Sequence, residues 1–153
     1  HHHVVTVCAG AKAFLDLGRT LEYLETVGVP VLGWQHDQFP AFYTRSSGLP
    51  VPHRAESAAE VAGVYANLTR PSSGVLVGVP IPEADELDAA ELDAVLVRAL
   101  EDAEEQGVVG AAVTPFVLGR IAAATDGRSV PANLALAENN ARVAAQIAAA
   151  IHP

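Results

Sequence analysis

The chain has 153 residues, half of them apolar, with nine Lys and Arg against 18 Asp and Glu and a formal charge of −9. That length suits one domain able to bury roughly 70% of the surface its unfolded chain exposes, and the apolar share excludes a disordered chain. No apolar run approaches the ~18 residues that span a bilayer, and scattered basic residues in an acidic chain exclude phosphate-backbone binding, so neither a membrane nor a nucleic-acid polymer is expected as a partner.

His1, His2 and His3 precede the first apolar run and read as the remnant of an affinity tag, which leaves residues 4–153 as one α/β domain. Val4 to Cys8, Pro30 to Trp34 and Gly74 to Val79 are short runs rich in Val or Leu without polar alternation, the pattern of strands covered on both faces. Phe14 to Val27 carries Leu17, Leu21 and Leu24 at helical spacing before Gly28 stops it, completing a βαβ unit. Cys8, the single cysteine, provides no disulfide framework and no thiolate zinc site; a small core residue is expected there, and the absence of a secretion signal fits the cytoplasm.

Gln35 to His53 holds Pro40, Gly48, Pro50 and Pro52 among aromatic residues, too punctuated for a regular element and long enough for a functional loop. Its Phe39, Phe42 and Tyr43 either line a pocket or anchor the loop to the core. Ser57 with Glu60 forms a capping box that opens a second helix, and Asp88 with Glu91 opens a third, running to Gln106 with its acids mainly on a solvated side. Thr114 followed by Pro115 has the N-cap and N1-proline pattern of a helix ending near Thr125, and an Ala-rich helix from about Ala132 to Ile151 should pack closely on another helix or a neighbouring subunit. The sum is a largely parallel sheet flanked by helices in α/β/α layers.

Lys12 is the only lysine among nine basic residues. Arginine cannot stand in for it where a neutral amine must attack a carbonyl, because guanidinium keeps its proton. Lys12 follows the first strand in the run Cys8-Ala9-Gly10-Ala11-Lys12, at the carboxyl end where open parallel sheets bind ligands. A helix start nearby, or partial burial, would lower its pKa and make the amine nucleophilic near neutral pH. These features suit a Schiff base.

Val5 to Pro30, reading VTVCAGAKAFLDLGRTLEYLETVGVP, resembles the lysine segment of the pseudouridine-5'-phosphate glycosidases, also called the indigoidine synthase A family. Further along, DQFPAFYTRSSG (37–48), TPFVL (114–118) and NLALAENNARVAAQI (133–147) resemble that family's loop, late helix start and C-terminal helix, in the same order. The resemblance implies reversible cleavage of the C-glycosidic bond of pseudouridine 5'-phosphate to uracil and ribose 5-phosphate, with Lys12 joined covalently to sugar C1. It implies that Asn133 binds the uracil edge, where an amide's paired donor and acceptor suit a pyrimidine. It also implies a homotrimer and a divalent metal, usually manganese. Family members are about twice as long, so the chain resembles their C-terminal half and is incomplete relative to the full fold. The acid/base glutamate, most phosphate contacts and the metal-holding aspartate would lie outside it. Val79 stands where that family leads one to expect asparagine.

A Schiff-base aldolase or lyase acting on another sugar phosphate fits the same lysine, and a non-catalytic α/β assembly module fits a chain without the other half of the site. His36 and Asp37 are adjacent rather than at helical ligand spacing, and His53 and His152 have no evident companions, so no metal site is expected within the chain.

Overall fold

The computed structural model describes residues 3–11, 15–69 and 73–152. Four strands, β1 (Val5–Cys8), β2 (Val31–Trp34), β3 (His53–Ala55) and β4 (Val75–Gly78), form one sheet in the order β1-β4-β2-β3, every pairing parallel. Five α-helices accompany it: α1 (Leu17–Thr26), α2 (Ala58–Ala66), α3 (Ala89–Glu105), α4 (Val113–Ala124) and α5 (Ser129–Ile151). Among the described residues no helix is long and apolar enough to cross a membrane. The parallel α/β architecture read from the apolar runs is the one observed.

Expected coverage on both faces holds for β4 and most of β2, but not for β1. β1 is an edge strand with β4 as its one neighbour, so Val5, Val7 and Cys8 are half-buried and Thr6 is exposed. Strand alternation sends Val75 and Val77 of β4 and Leu32 of β2 into a core shared with Val61 of α2 and Val143 and Ile147 of α5. α5 lies along α2, as its small side chains led one to expect. Val79 is buried in this same core, an apolar role for the position where asparagine was expected.

The second core lies beneath the loop after β2, where Ile81 and Tyr43 meet Leu92 and Ala99 of α3, Val117 and Ile121 of α4, and Leu136 of α5. Ser57 and Asp88 cap α2 and α3 as their sequences require, each side chain accepting from the backbone N–H three residues on. The box at Ser57 closes on a different residue, because the Glu60 carboxylate accepts from the Glu56 N–H. The acids of α3 are not wholly free in solvent: Glu91 pairs with Arg128 at 2.7 Å and Asp102 with Arg120 at 3.1 Å, tying α3 to the helices that follow.

Three helix starts differ from expectation. α1 begins at Leu17, with Asp16 as its cap accepting from the Arg19 N–H. α4 begins at Val113, because a 3-10 turn at Gly110–Ala112 already leads the backbone into helical geometry; Thr114 is therefore inside the helix rather than its cap. Pro115 remains acceptable in the first turn, where its missing N–H has no intrahelical partner to lose. α5 begins at Ser129 because the Thr125 hydroxyl accepts the Ser129 N–H and acts as a cap from four residues back.

Candidate functional site

The residues after β1 and β4 lie under the loop 35–52. Its Phe42 N–H donates to the Ala9 carbonyl at 2.9 Å, and Ala41 bridges Gly10. Gly10 makes this approach possible: its φ is +82°, and a Cβ there would lie 1.7 Å from the Pro40 carbonyl oxygen. Gly78 at the end of β4 meets the same proline, with 2.9 Å between a built Cβ and Pro40 Cδ. Glycines at two strand ends thus let one loop press onto the carboxyl edge of the sheet.

The three loop aromatics divide between the two roles foreseen for them. Phe39 is 1% exposed and anchors the loop. Phe42, held at φ +66°, and Tyr43 line a cleft of about 240 Å³. Leu92 and Leu96 of α3 and Leu118 of α4 form its apolar wall, while Thr44, Ser46, Ser47 and Asp93 supply polar atoms and Leu17 closes the side toward α1. This volume falls below the ~300–1,000 Å³ usual for a drug-sized ligand, so the cleft suits a small ring or one part of a larger molecule.

Behind the cleft is a buried polar knot that the sequence pattern did not single out. Burial pushes the Tyr43 phenol above its ordinary value of 10.0, opposed by a side-chain hydrogen bond with Ser129. Ser129 is 2% exposed and Thr125 fully buried, with the Thr125 hydroxyl donating to the Ile121 carbonyl at 2.8 Å. Thr125 fastens the start of α5 to the end of α4, beside the wall on which Phe42 packs edge-to-face against Tyr43.

Lys12, the first of the sequence-derived site residues, lies outside the described residues. The flanking chain is defined by Gly10 on one side and by the α1 cap on the other. The helix begins five positions beyond Lys12 in sequence, with the acidic Asp16 as its cap, so the expected close helix start is corrected to a more distant one. Asn133, the second, is exposed on α5 and does not line the cleft at Phe42; it is the fifth helical residue, not a cap. One helical turn earlier on α5 stands Ser129, bonded to Tyr43. Cys8 behaves as a small interior residue: burial pushes its thiol up, with a backbone hydrogen bond at Gly10 acting in the opposite direction.

No group of three or more His, Cys, Asp or Glu among the described residues is placed to hold a metal ion. His36 is occupied within its own loop, its Nδ1 lying 3.0 Å from the Gln38 carbonyl oxygen. Asp37 pairs with the exposed Arg54. A second, more polar cleft of about 250 Å³ opens where β2 and β4 end, between Trp34, Arg45 and Arg142. Sequence spacing had not brought these residues together.

An open parallel sheet with loop-lined clefts at the carboxyl ends of its strands places the chain among the open α/β proteins, in which that edge is the usual place for a ligand site. The match to the family of Indigoidine synthase A like proteins covers residues 1–150, and the chain belongs to that family. It is 50% identical over 150 residues to a Pseudouridine-5'-phosphate glycosidase of Methylobacterium nodulans, covering 97% of this chain and 44% of that protein. A Sorangium cellulosum protein of the same name is 52% identical over 149 residues, covering 97% and 47%.

Two solved structures are similar throughout. The prealnumycin C-glycosynthase AlnA in complex with ribulose 5-phosphate superposes with a TM-score of 0.86 at 36% identity, over 96% of this chain and 49% of that one. An indigoidine synthase A-like protein from Thermotoga maritima gives 0.84 at 37%, over 94% and 48%. The chain spans about half the length of the curated relatives it matches.

Proposed function

We propose that this chain is the C-terminal half of a pseudouridine-5'-phosphate glycosidase, with the reaction centred on Lys12. The observation that carries this reading is the 50% identity to a protein of that name over 97% of the chain. The sugar-phosphate class of substrate is supported by the structural likeness to a C-glycosynthase bound to ribulose 5-phosphate.

A carbon–carbon glycosidic bond has no heteroatom leaving group, so hydrolysis by two carboxylates suits it poorly. An amine offers another route. The ribose opens as its C1–O4 bond breaks, O4 taking a proton while the uracil ring loses its N1 proton and its electrons form a double bond to C1. The Lys12 amine then adds to C1, the electrons return to the ring and the amine proton passes to N1. The nitrogen lone pair then forms C=N as the bond between C1 and the uracil carbon breaks, and the electron pair returns to the uracil ring, which takes a proton. Water hydrolyses the iminium, releasing ribose 5-phosphate and restoring the amine. Asn133 contacts the uracil edge through its amide in this scheme.

The metal implied by the family, manganese, is not matched by any group of three or more His, Cys, Asp or Glu among the described residues. It would be held by the other half, together with the acid/base glutamate and most phosphate contacts. We place the assembled enzyme in the cytoplasm as a homotrimer.

The test is uracil release from pseudouridine 5'-phosphate by this chain joined to the other half of a family member. Lys12→Arg should abolish turnover while the circular dichroism spectrum stays unchanged. Normal turnover by that variant would remove Lys12 from the reaction.

A further inference from the structure

The polar cleft at the ends of β2 and β4 contains two arginines that the glycosidase reading leaves unused. Arg45 comes from the loop after β2 and Arg142 from α5, and both line the cleft beside Trp34, Gln35, Pro80 and Asn139. Arg45 is held by the segment that follows β4, and Arg142 by Asn139 one turn earlier on its own helix, which in turn bonds that segment. Arg45 Nη1–H donates to the Ile81 carbonyl at 2.7 Å. Arg142 Nη2–H donates to Asn139 Oδ1 at 2.6 Å, and Asn139 Nδ2–H donates to the Pro80 carbonyl at 3.1 Å. Arg45 directly, and Arg142 through Asn139, are thereby linked to the consecutive residues Ile81 and Pro80.

Their charge is not neutralised. Arg19, Arg54, Arg120 and Arg128 each hold a carboxylate, whereas among the described residues Arg45 and Arg142 hold none. Acids outnumber basic residues by 18 to nine, and of the three described arginines without an ion pair, Arg45, Arg98 and Arg142, two share this one cleft. Glu86 accepts only from the Arg45 backbone N–H, at 2.7 Å. Each guanidinium has five N–H donors, most of them free here, in the fork geometry that fits oxyanions. Gln35 adds to the pattern, a non-glycine residue held at φ +52° directly after β2 at the mouth of the cleft.

We infer that Arg45 and Arg142 form a binding site for a phosphoryl oxyanion, either inorganic phosphate or the phosphate of a small phosphorylated ligand. The site does not rest on the glycosidase reading and shares no lining residue with the cleft at Phe42. Glu83, Asp85 and Glu86 follow the lining residue Pro82 in sequence, and their charge keeps the affinity modest.

Equilibrium dialysis of the chain against inorganic phosphate, with ionic strength held by chloride, tests the site. Trp34 is the only tryptophan, so its emission reports on this cleft in the same titration. Saturable uptake is expected, weakened about tenfold by Arg142→Gln, the loss of roughly one charge-assisted contact. Arg98→Gln on α3 removes the same charge away from the cleft and should leave uptake unchanged. No uptake, equal uptake by Arg142→Gln and the unaltered chain, or an equal loss in Arg98→Gln would overturn the site. Ribose 5-phosphate should displace phosphate from the chain and from Lys12→Arg alike. Displacement that disappears in Lys12→Arg but survives in Arg142→Gln would assign the phosphoryl group to the lysine segment and refute the cleft.

Discussion

Gly10→Ala should be among the most damaging single-methyl additions in the chain, for two reasons that can be measured separately. An L residue at φ +82° pays about 1–2 kcal/mol for left-handed backbone, and the new Cβ would meet the Pro40 carbonyl oxygen at 1.7 Å. Backbone must move to relieve that contact, and the movement breaks the Phe42 to Ala9 hydrogen bond that holds the loop down. Gly48 is the control, since its φ is +77° and a Cβ there meets nothing within 4 Å. Gly48→Ala should therefore cost only the backbone share, about 1 kcal/mol, and Gly10→Ala at least ~3 kcal/mol. With a urea slope of roughly 1–3 kcal/mol per molar, the two midpoints should differ by about 1 M. Urea unfolding followed by Trp34 fluorescence reads this directly. Coincident midpoints would refute the close packing of Pro40 on the end of β1.

Ser57→Ala removes the acceptor that caps α2 and should cost ~1 kcal/mol in the same assay, with Ser57→Asn recovering most of it. Tyr43→Phe tests the buried knot through pH. The folded-state pKa of this phenol is raised above 10.0, so its contribution to stability is complete below that value and is lost as pH rises through it. The unaltered chain should lose stability above about pH 10 more steeply than Tyr43→Phe; identical alkaline profiles would remove Tyr43 as the cause.

Those features were legible to different degrees because they rest on different kinds of information. The three apolar runs that became β1, β2 and β4 carry their own signal. β3 does not, for His53 and Arg54 are exposed and only Ala55 is buried, and its place is set by pairing with β2 rather than by composition. Caps that use a neighbouring side chain, Ser57 and Asp88, were readable, whereas the cap of α5 comes from Thr125 inside the preceding turn. The loop read from its prolines as Gln35 to His53 ends one residue earlier, where β3 begins, and its descent onto Gly10 and Gly78 depends on tertiary contact. Lys12 was singled out by what its amine can do. Nothing in local sequence brings Arg45 to the Ile81 carbonyl, or Asn139, the partner of Arg142, to the Pro80 carbonyl; the fold alone closes those distances.

The most direct test of the role of Lys12 is borohydride reduction with ribose 5-phosphate, followed by intact mass and peptide mapping. It is run on this chain alone and after mixing with the other half of a longer family member. Lys12 is the only lysine, so only the α-amino group competes as a primary amine. A reduced adduct on Lys12 is expected, in the chain alone if this half holds a competent nucleophile, or only in the mixture if the site is shared. No adduct on Lys12 in either sample would contradict it.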